Sequence, residues 1–252
     1  MTQCDKCHRS AVIYQRYSGM HLCGEHFDQD VHRKIRESLR KTGLFSRGSR
    51  IAVCLDGGRQ SATLACVLKG IFSRRPDMEI SAIIMKSGEG GRESAAAARA
   101  VAERLEMDCH AVRRQQDGSI DLRREMLFES AALNGANILA TGECLDDEAL
   151  RIFVSYLKGD ANLPVERECN FRQGPAWIKP LQRVPRREAR LYALRHGLGC
   201  DIEACAAGEG SLFQEAALLL AGFEGRHPGT YYSLVRGLEK RLRAKPLSVD
   251  AK

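Results

Sequence analysis

The chain has 252 residues, room for one sizeable α/β domain with a real core and a small appendage. No apolar run approaches the length of a membrane span, and the N-terminus lacks a charged-then-apolar leader, so neither a membrane anchor nor secretion is expected. The 39 Lys and Arg against 32 Asp and Glu leave +7, and of the 10 cysteines the seven from Cys54 onward are scattered, which predicts a reducing cytoplasm rather than a disulfide framework.

The chain opens on Cys4-Asp5-Lys6-Cys7, followed by Cys23-Gly24-Glu25-His26. Each pair chelates one edge of a tetrahedron, and thiolates with a neutral imidazole suit Zn²⁺. The alternative is a set of ordinary buried cysteines. A structural zinc module over residues 1–27 follows from the first reading, because one ion closes a loop that has almost no core. Asp28 is expected to cap a linking helix that runs to about Lys41, within residues 28–47. Val31, Ile35 and Leu39 share one face of it.

Ile51–Leu55 is a short apolar run suited to a buried parallel strand, and Gly57-Gly58 ends it. A helix from about Ser61 to Phe72 comes next. Strand and helix then alternate over Ile80–Met85, Glu93–Leu105, Cys109–Val112, Leu122–Leu133, Asn137–Ala140 and Asp146–Leu157. This rhythm predicts a parallel sheet with helices on both faces and ligands at the carboxyl ends of the strands, within residues 48–180. Residues 159–176 read as a loop. Helices near Arg186–Arg195, Ser211–Ala221 and Gly229–Arg243 make a basic helical region over 181–252.

Asp56-Gly57-Gly58-Arg59-Gln60-Ser61 places a glycine turn at a helix N-terminus. Free N–H groups and the helix dipole there favour phosphate, although Gly-Gly also serves as a plain tight turn. Lys179, Arg183, Arg186, Arg187 and Arg190 form one basic cluster, and others lie at residues 32–47 and at the tail. Either these are solvated helix faces or they bind a polyanion such as RNA, with Lys179 and its following helix as backbone contacts.

The zinc pattern, the apolar strand, the Gly-Gly turn and Gly142-Glu-Cys-Leu-Asp-Asp-Glu-Ala149 together resemble the tRNA 2-thiouridine synthases of the PP-loop ATP pyrophosphatase superfamily. Arg123-Arg124 at a helix start, Lys179-Pro180-Leu181, Tyr192-Ala193 and Glu203-Ala204-Cys205 match too, and the similarity runs through residues 3–243. The resemblance implies a HUP-type parallel sheet, a tRNA substrate and usually a dimer. It implies ATP on the loop (Asp56 to Ser61, with Gly142), adenylation of a uridine carbonyl, and displacement of AMP by sulfur. Asp146 and Asp147 are implied as nucleotide or Mg²⁺ ligands, or else serve the helix dipole alone. Arg123 and Cys205 are implied as catalytic, with a solvated helix turn the alternative for Arg123 and Arg124 and a plain buried cysteine the alternative for Cys205.

This chain departs from the pattern. The family's Ser-Gly-Gly-x-Asp-Ser has Asp56 for the first serine and Gln60 for the aspartate, so Mg²⁺–ATP binding is expected to be weakened. The family's Cys-x-x-Cys falls near Gln116 and Ser119, leaving Cys205 alone, and an iron–sulfur cluster is therefore not expected. Two expectations follow. Either the protein thiolates tRNA with sulfur from a carrier protein, or it is a non-catalytic tRNA-binding partner of an intact paralogue, in a homodimer or heterodimer.

Overall fold

The computed structural model describes residues 2–45, 48–86, 91–113, 120–159, 174–198 and 210–244. The chain divides into two compact units.

The larger unit carries α1 (Gly24–Thr42, from Glu25 on), β3 (Arg50–Leu55), α2 (Arg59–Phe72), β4 (Glu79–Lys86), α3 (Gly91–Arg104), β5 (Cys109–Arg113), α4 (Ile120–Leu133), β6 (Ile138–Ala140), β7 (Ala176–Ile178) and α6 (Arg186–Arg195). Its five strands are all parallel, in the order β5-β4-β3-β6-β7. Side chains alternate across a strand, so a sheet covered on both faces needs apolar residues at every position. Residues 51–53 of β3 and 82–84 of β4 are all buried. Ala52 and Ile83 join Leu127 and Ala131 of α4 in one core cluster. Their neighbours Ile51, Val53, Ala82 and Ile84 face the other side by alternation. α2 packs with α3 and α6, and Thr63 Oγ1 donates to Ala189 O at 2.7 Å.

From β3 the chain moves outward through β4 and β5, then returns to β6 and β7 on the other flank. The direction of winding therefore reverses between β3 and β6. Parallel sheets bind ligands in the crevice outside the carboxyl ends at such a point.

The smaller unit carries the hairpin β1 (Ile13–Gln15) and β2 (Met20–Leu22) with α5 (Leu145–Leu157), α7 (Gly210–Arg226) and α8 (Thr230–Ala244). Leu145, Ala149 and Ile152 pack with Leu220, Val235 and Leu238. Tyr17 beyond β1 meets Tyr232 of α8, with ring centroids 4.8 Å apart.

Two local expectations are corrected, and the N-terminal hairpin was not anticipated. α1 begins at Gly24, directly behind Cys23, so Asp28 lies inside it and caps nothing; its carboxylate takes Arg195 at 3.4 Å and His196 at 3.2 Å. β7 begins at Ala176, where a loop ending was read. β1 and β2, three residues each, lie inside the N-terminal module. Strands this short show no alternation in the sequence.

Candidate functional site

The ligand atoms of Cys4, Cys7, Cys23 and His26 all lie within 4.8 Å of one another. Cys7 Sγ and Cys23 Sγ are 3.7 Å apart. Two thiolates about 2.3 Å from a tetrahedral Zn²⁺ are separated by roughly 3.8 Å, so the spacing fits that ion. The first pair sits on a tight turn, with Cys7 N donating to Cys4 O at 3.2 Å and Cys4 N to Arg9 O at 2.9 Å. The second pair brackets the start of α1. Cys4 and Cys23 are buried. Among the described residues, no other group of three or more His, Cys, Asp or Glu converges in this way.

At the carboxyl end of β3, the Gly57-Gly58 turn delivers the chain into α2. Gly57 has φ +86°, and a Cβ there would lie 2.4 Å from the backbone oxygen of Ser94 in α3. Gly142, just past β6, presses the other side: its Cβ would stand 3.1 Å from Ser61 N. The loop is thus held between α3 and the turn after β6, at the point where the sheet reverses. Gly58 is the N-cap of α2 and supplies no side chain to cap it.

Asp56 fills part of this loop from within. Its Oδ1 accepts from Gly58 N at 2.9 Å and from Ser61 Oγ at 2.5 Å. Ser61 Oγ also contacts Gly58 O at 3.0 Å. An amide and a hydroxyl of the kind an anion would use are therefore engaged by a carboxylate of the chain itself. Arg59 and Gln60 open α2 and are half-buried. Asp146 and Asp147 stand with Glu148 in the first turn of α5, where the helix dipole favours negative charge. Arg123 stands near the start of α4, and Cys205, Gln116 and Ser119 lie outside the described residues.

The expected RNA cluster separates into two settings. Arg186, Arg187 and Arg190 belong to α6, where Arg187 is exposed, while Arg183, Arg186 and Arg190 are half-buried. The inward face of α6 holds Glu188, which accepts from Lys34 Nζ at 2.7 Å. Lys34 also pairs with Asp30 at 2.8 Å, and Asp30 with Arg33 at 2.6 Å. All of Lys34, Asp30 and Glu188 are buried. Glu188→Gln keeps the shape and drops the charge, so the buried ion pair with Lys34 is lost. A loss of about 1–3 kcal/mol in urea denaturation is expected.

Lys179, by contrast, lies over the ring of Trp177, with Nζ 5.2 Å from the centroid. Sequence reasoning passed over Trp177 and its hydrogen-bond partner Thr141, because a single tryptophan in a three-residue strand carries no pattern. Glu143, in the run that follows β6, has a buried Oε2 with no hydrogen-bond partner among the described residues.

Cys66 of α2 is no activated nucleophile. Burial pushes its thiol up, only partly offset by a hydrogen bond with Tyr192. Tyr192 is pushed up by the same burial and lies 2.9 Å from His32 Nε2. Burial, then Arg36, lowers His32.

Residues 3–28 match the family model of the N-terminal LIM domain of the 2-thiouridine synthetase TtuA. The whole chain is similar to the tRNA-5-methyluridine(54) 2-sulfurtransferase of Pyrococcus horikoshii, at 30% identity over 96% of this chain and 83% of that protein. It is similar to the tRNA 2-thiolation protein NcsA of Haloferax volcanii, at 29% identity over 94% and 86%. Its fold matches the U34-tRNA thiolase NcsA of Methanococcus maripaludis with a TM-score of 0.85 at 24% identity, covering 100% of this chain and 91% of that one. That thiolase was solved with its [4Fe-4S] cluster. The expectation against an iron–sulfur cluster is therefore corrected: a chain of this fold holds one, and counting thiols at Gln116 and Ser119 bears on those two positions alone. No helix among the described residues is long and apolar enough to cross a membrane.

Proposed function

This chain belongs to the tRNA 2-thiolation family of PP-loop proteins, and from that premise we propose that it binds tRNA in the cytoplasm and acts in the ATP-dependent 2-thiolation of a uridine. In this reading the glycine turn receives the phosphates of ATP, with Asp146 and Asp147 as the carboxylates for Mg²⁺. The uridine carbonyl oxygen attacks the α-phosphorus and pyrophosphate leaves. A sulfur nucleophile then adds at the uridine carbon, and AMP departs with the former carbonyl oxygen. The sulfur arrives as a thiocarboxylate on a carrier protein, whose acyl–sulfur bond water then cleaves to leave the carrier's carboxylate, or as a persulfide on Cys205, whose S–S bond an external thiol then reduces. Arg123 is the basic residue assigned to this step. Lys179 and the arginines at 183, 186, 187 and 190 meet the RNA backbone.

The observation that carries the reading is the glycine turn at the sheet's reversal point, pressed between Ser94 and Gly142 with its backbone free of any side chain at 57 and 58. The Asp56 clasp on Gly58 N and Ser61 Oγ argues for weak nucleotide affinity. It favours a second reading, in which the chain is the tRNA-binding partner of an intact paralogue.

Calorimetric titration of the zinc-loaded protein with Mg²⁺–ATP, beside an Asp56→Ser, Gln60→Asp double variant, tests both. The double variant is expected to bind at least roughly tenfold more tightly, the size of one freed charge-assisted contact. Equal affinities reject the clasp as the cause of weak binding. Binding by the variant alone favours the partner reading, and binding by neither ends the nucleotide reading.

A further inference from the structure

Trp177 is the chain's one tryptophan. It is buried in the edge strand β7, and its indole N–H donates to Thr141 Oγ1 at 2.6 Å. Phe128 of α4 meets the ring edge-on, with centroids 5.7 Å apart. Two cations lie over this braced ring. The guanidinium carbon of Arg124 is 4.9 Å from the centroid, and Lys179 Nζ is 5.2 Å away. The negative face of an indole attracts both.

The placement gives the arrangement its meaning. Lys179 follows the last residue of β7, and Arg124 lies in the early turns of the helix that leaves β5. Both therefore belong to the carboxyl side of the sheet, the side that carries the glycine turn. Thr141 adjoins Gly142, which lies against Ser61 at the start of α2. A rigid ring thus fixes two positive charges from two separate elements, and its own anchor adjoins Gly142, which presses on the glycine turn. Arginine offers a planar fork and lysine a point charge, a pairing that suits phosphate oxygens.

We propose that Trp177 is a positioning residue, holding Arg124 and Lys179 at the carboxyl ends of β6 and β7 to receive a phosphate group. The inference rests on the functional reading above, which supplies two sources of that chemistry: the nucleotide and the RNA backbone.

Because the ring is the chain's one indole, its emission reports this site in the unaltered, zinc-loaded protein. Mg²⁺–ATP and a tRNA transcript are titrated separately, with calorimetry following binding independently of the fluorescence. Emission is expected to change with one of them, at the midpoint that calorimetry gives, and the titrant that does so identifies the phosphate. Adenosine, without phosphate, is expected to leave the emission unchanged. Lys179→Gln and Arg124→Gln are each expected to weaken that titrant roughly tenfold, the loss of one charged contact. Trp177→Leu is expected to weaken it as much, and Trp177→Phe, which keeps a ring, by less. If calorimetry gives the unaltered affinity for both titrants in Lys179→Gln and Arg124→Gln, the inference is overturned, and the functional reading stands without Lys179 as an RNA contact. If neither titrant binds the unaltered chain, both fall.

Discussion

Cys7→Ser is expected to release the N-terminal metal and unfold the module around it. Cys7 is only half-buried, so serine there costs little packing; what it removes is one of four ligands. The hairpin beneath has strands of three residues each, far too little to hold itself. In small zinc domains the ion contributes apparent folding energies of about 10–16 kcal/mol, more than any other single change considered for this chain. The measurement is zinc content after dialysis, with proteolysis at Lys6, Arg9 and Arg16 as the structural readout. The unaltered chain is expected to keep its zinc and resist cleavage, and the variant to lose both properties. Cys109→Ser is the control, since Cys109 is exposed and outside the quartet. A Cys7→Ser protein that keeps its full zinc would show that the ligand set is misassigned.

The quartet was legible because chelation is local: two short spacings state the geometry almost completely, and the structure adds only the closing distance. β3 and β4 were legible for a different reason. A strand covered on both faces has few polar positions, so Ile51–Leu55 and Ile80–Met85, the latter broken only by Ser81, stand out as runs. β7 failed that test, because Ala176–Ile178 is too short to display any pattern. Partnership across the fold was hidden as well. Nothing near Asp56 in the sequence says that its carboxylate turns back onto Gly58 N and Ser61 Oγ. The substitution reads as a charge placed near a phosphate, while the structure shows two loop donors already engaged. Trp177 is the extreme case, since its partners Thr141, Phe128 and Arg124 come from β6's end and from α4. The thiol count near Gln116 and Ser119 misled in the opposite direction. It took one spacing for the only way this fold meets a cluster, and the Methanococcus maripaludis thiolase shows the fold with one.

Gly57→Ala is expected to be the most damaging single-methyl change in the sheet-bearing unit. Its φ of +86° lies where only glycine is at ease, and a Cβ there costs about 1–2 kcal/mol before any contact is considered. The contact adds to it. The new methyl would lie 2.4 Å from Ser94 O, 2.8 Å from its Cα and 2.9 Å from its carbonyl carbon. All three are backbone atoms of α3, so no side chain can swing aside, and the helix itself must shift. Forced overpacking of this kind costs about 1–3 kcal/mol, for a combined loss of roughly 2–5 kcal/mol against a typical stability of 5–15. Gly70 gives the opposite sign in the same helix layer. It lies inside α2 with nothing within 4 Å of a Cβ, so Gly70→Ala is expected to stabilise by about 0.5–1 kcal/mol through helix propensity. Urea denaturation of the two variants beside the parent separates the cases. A Gly57→Ala midpoint equal to the parent's would mean that α3 yields freely to the turn, and the close approach of Ser94 would lose its role in shaping the glycine turn.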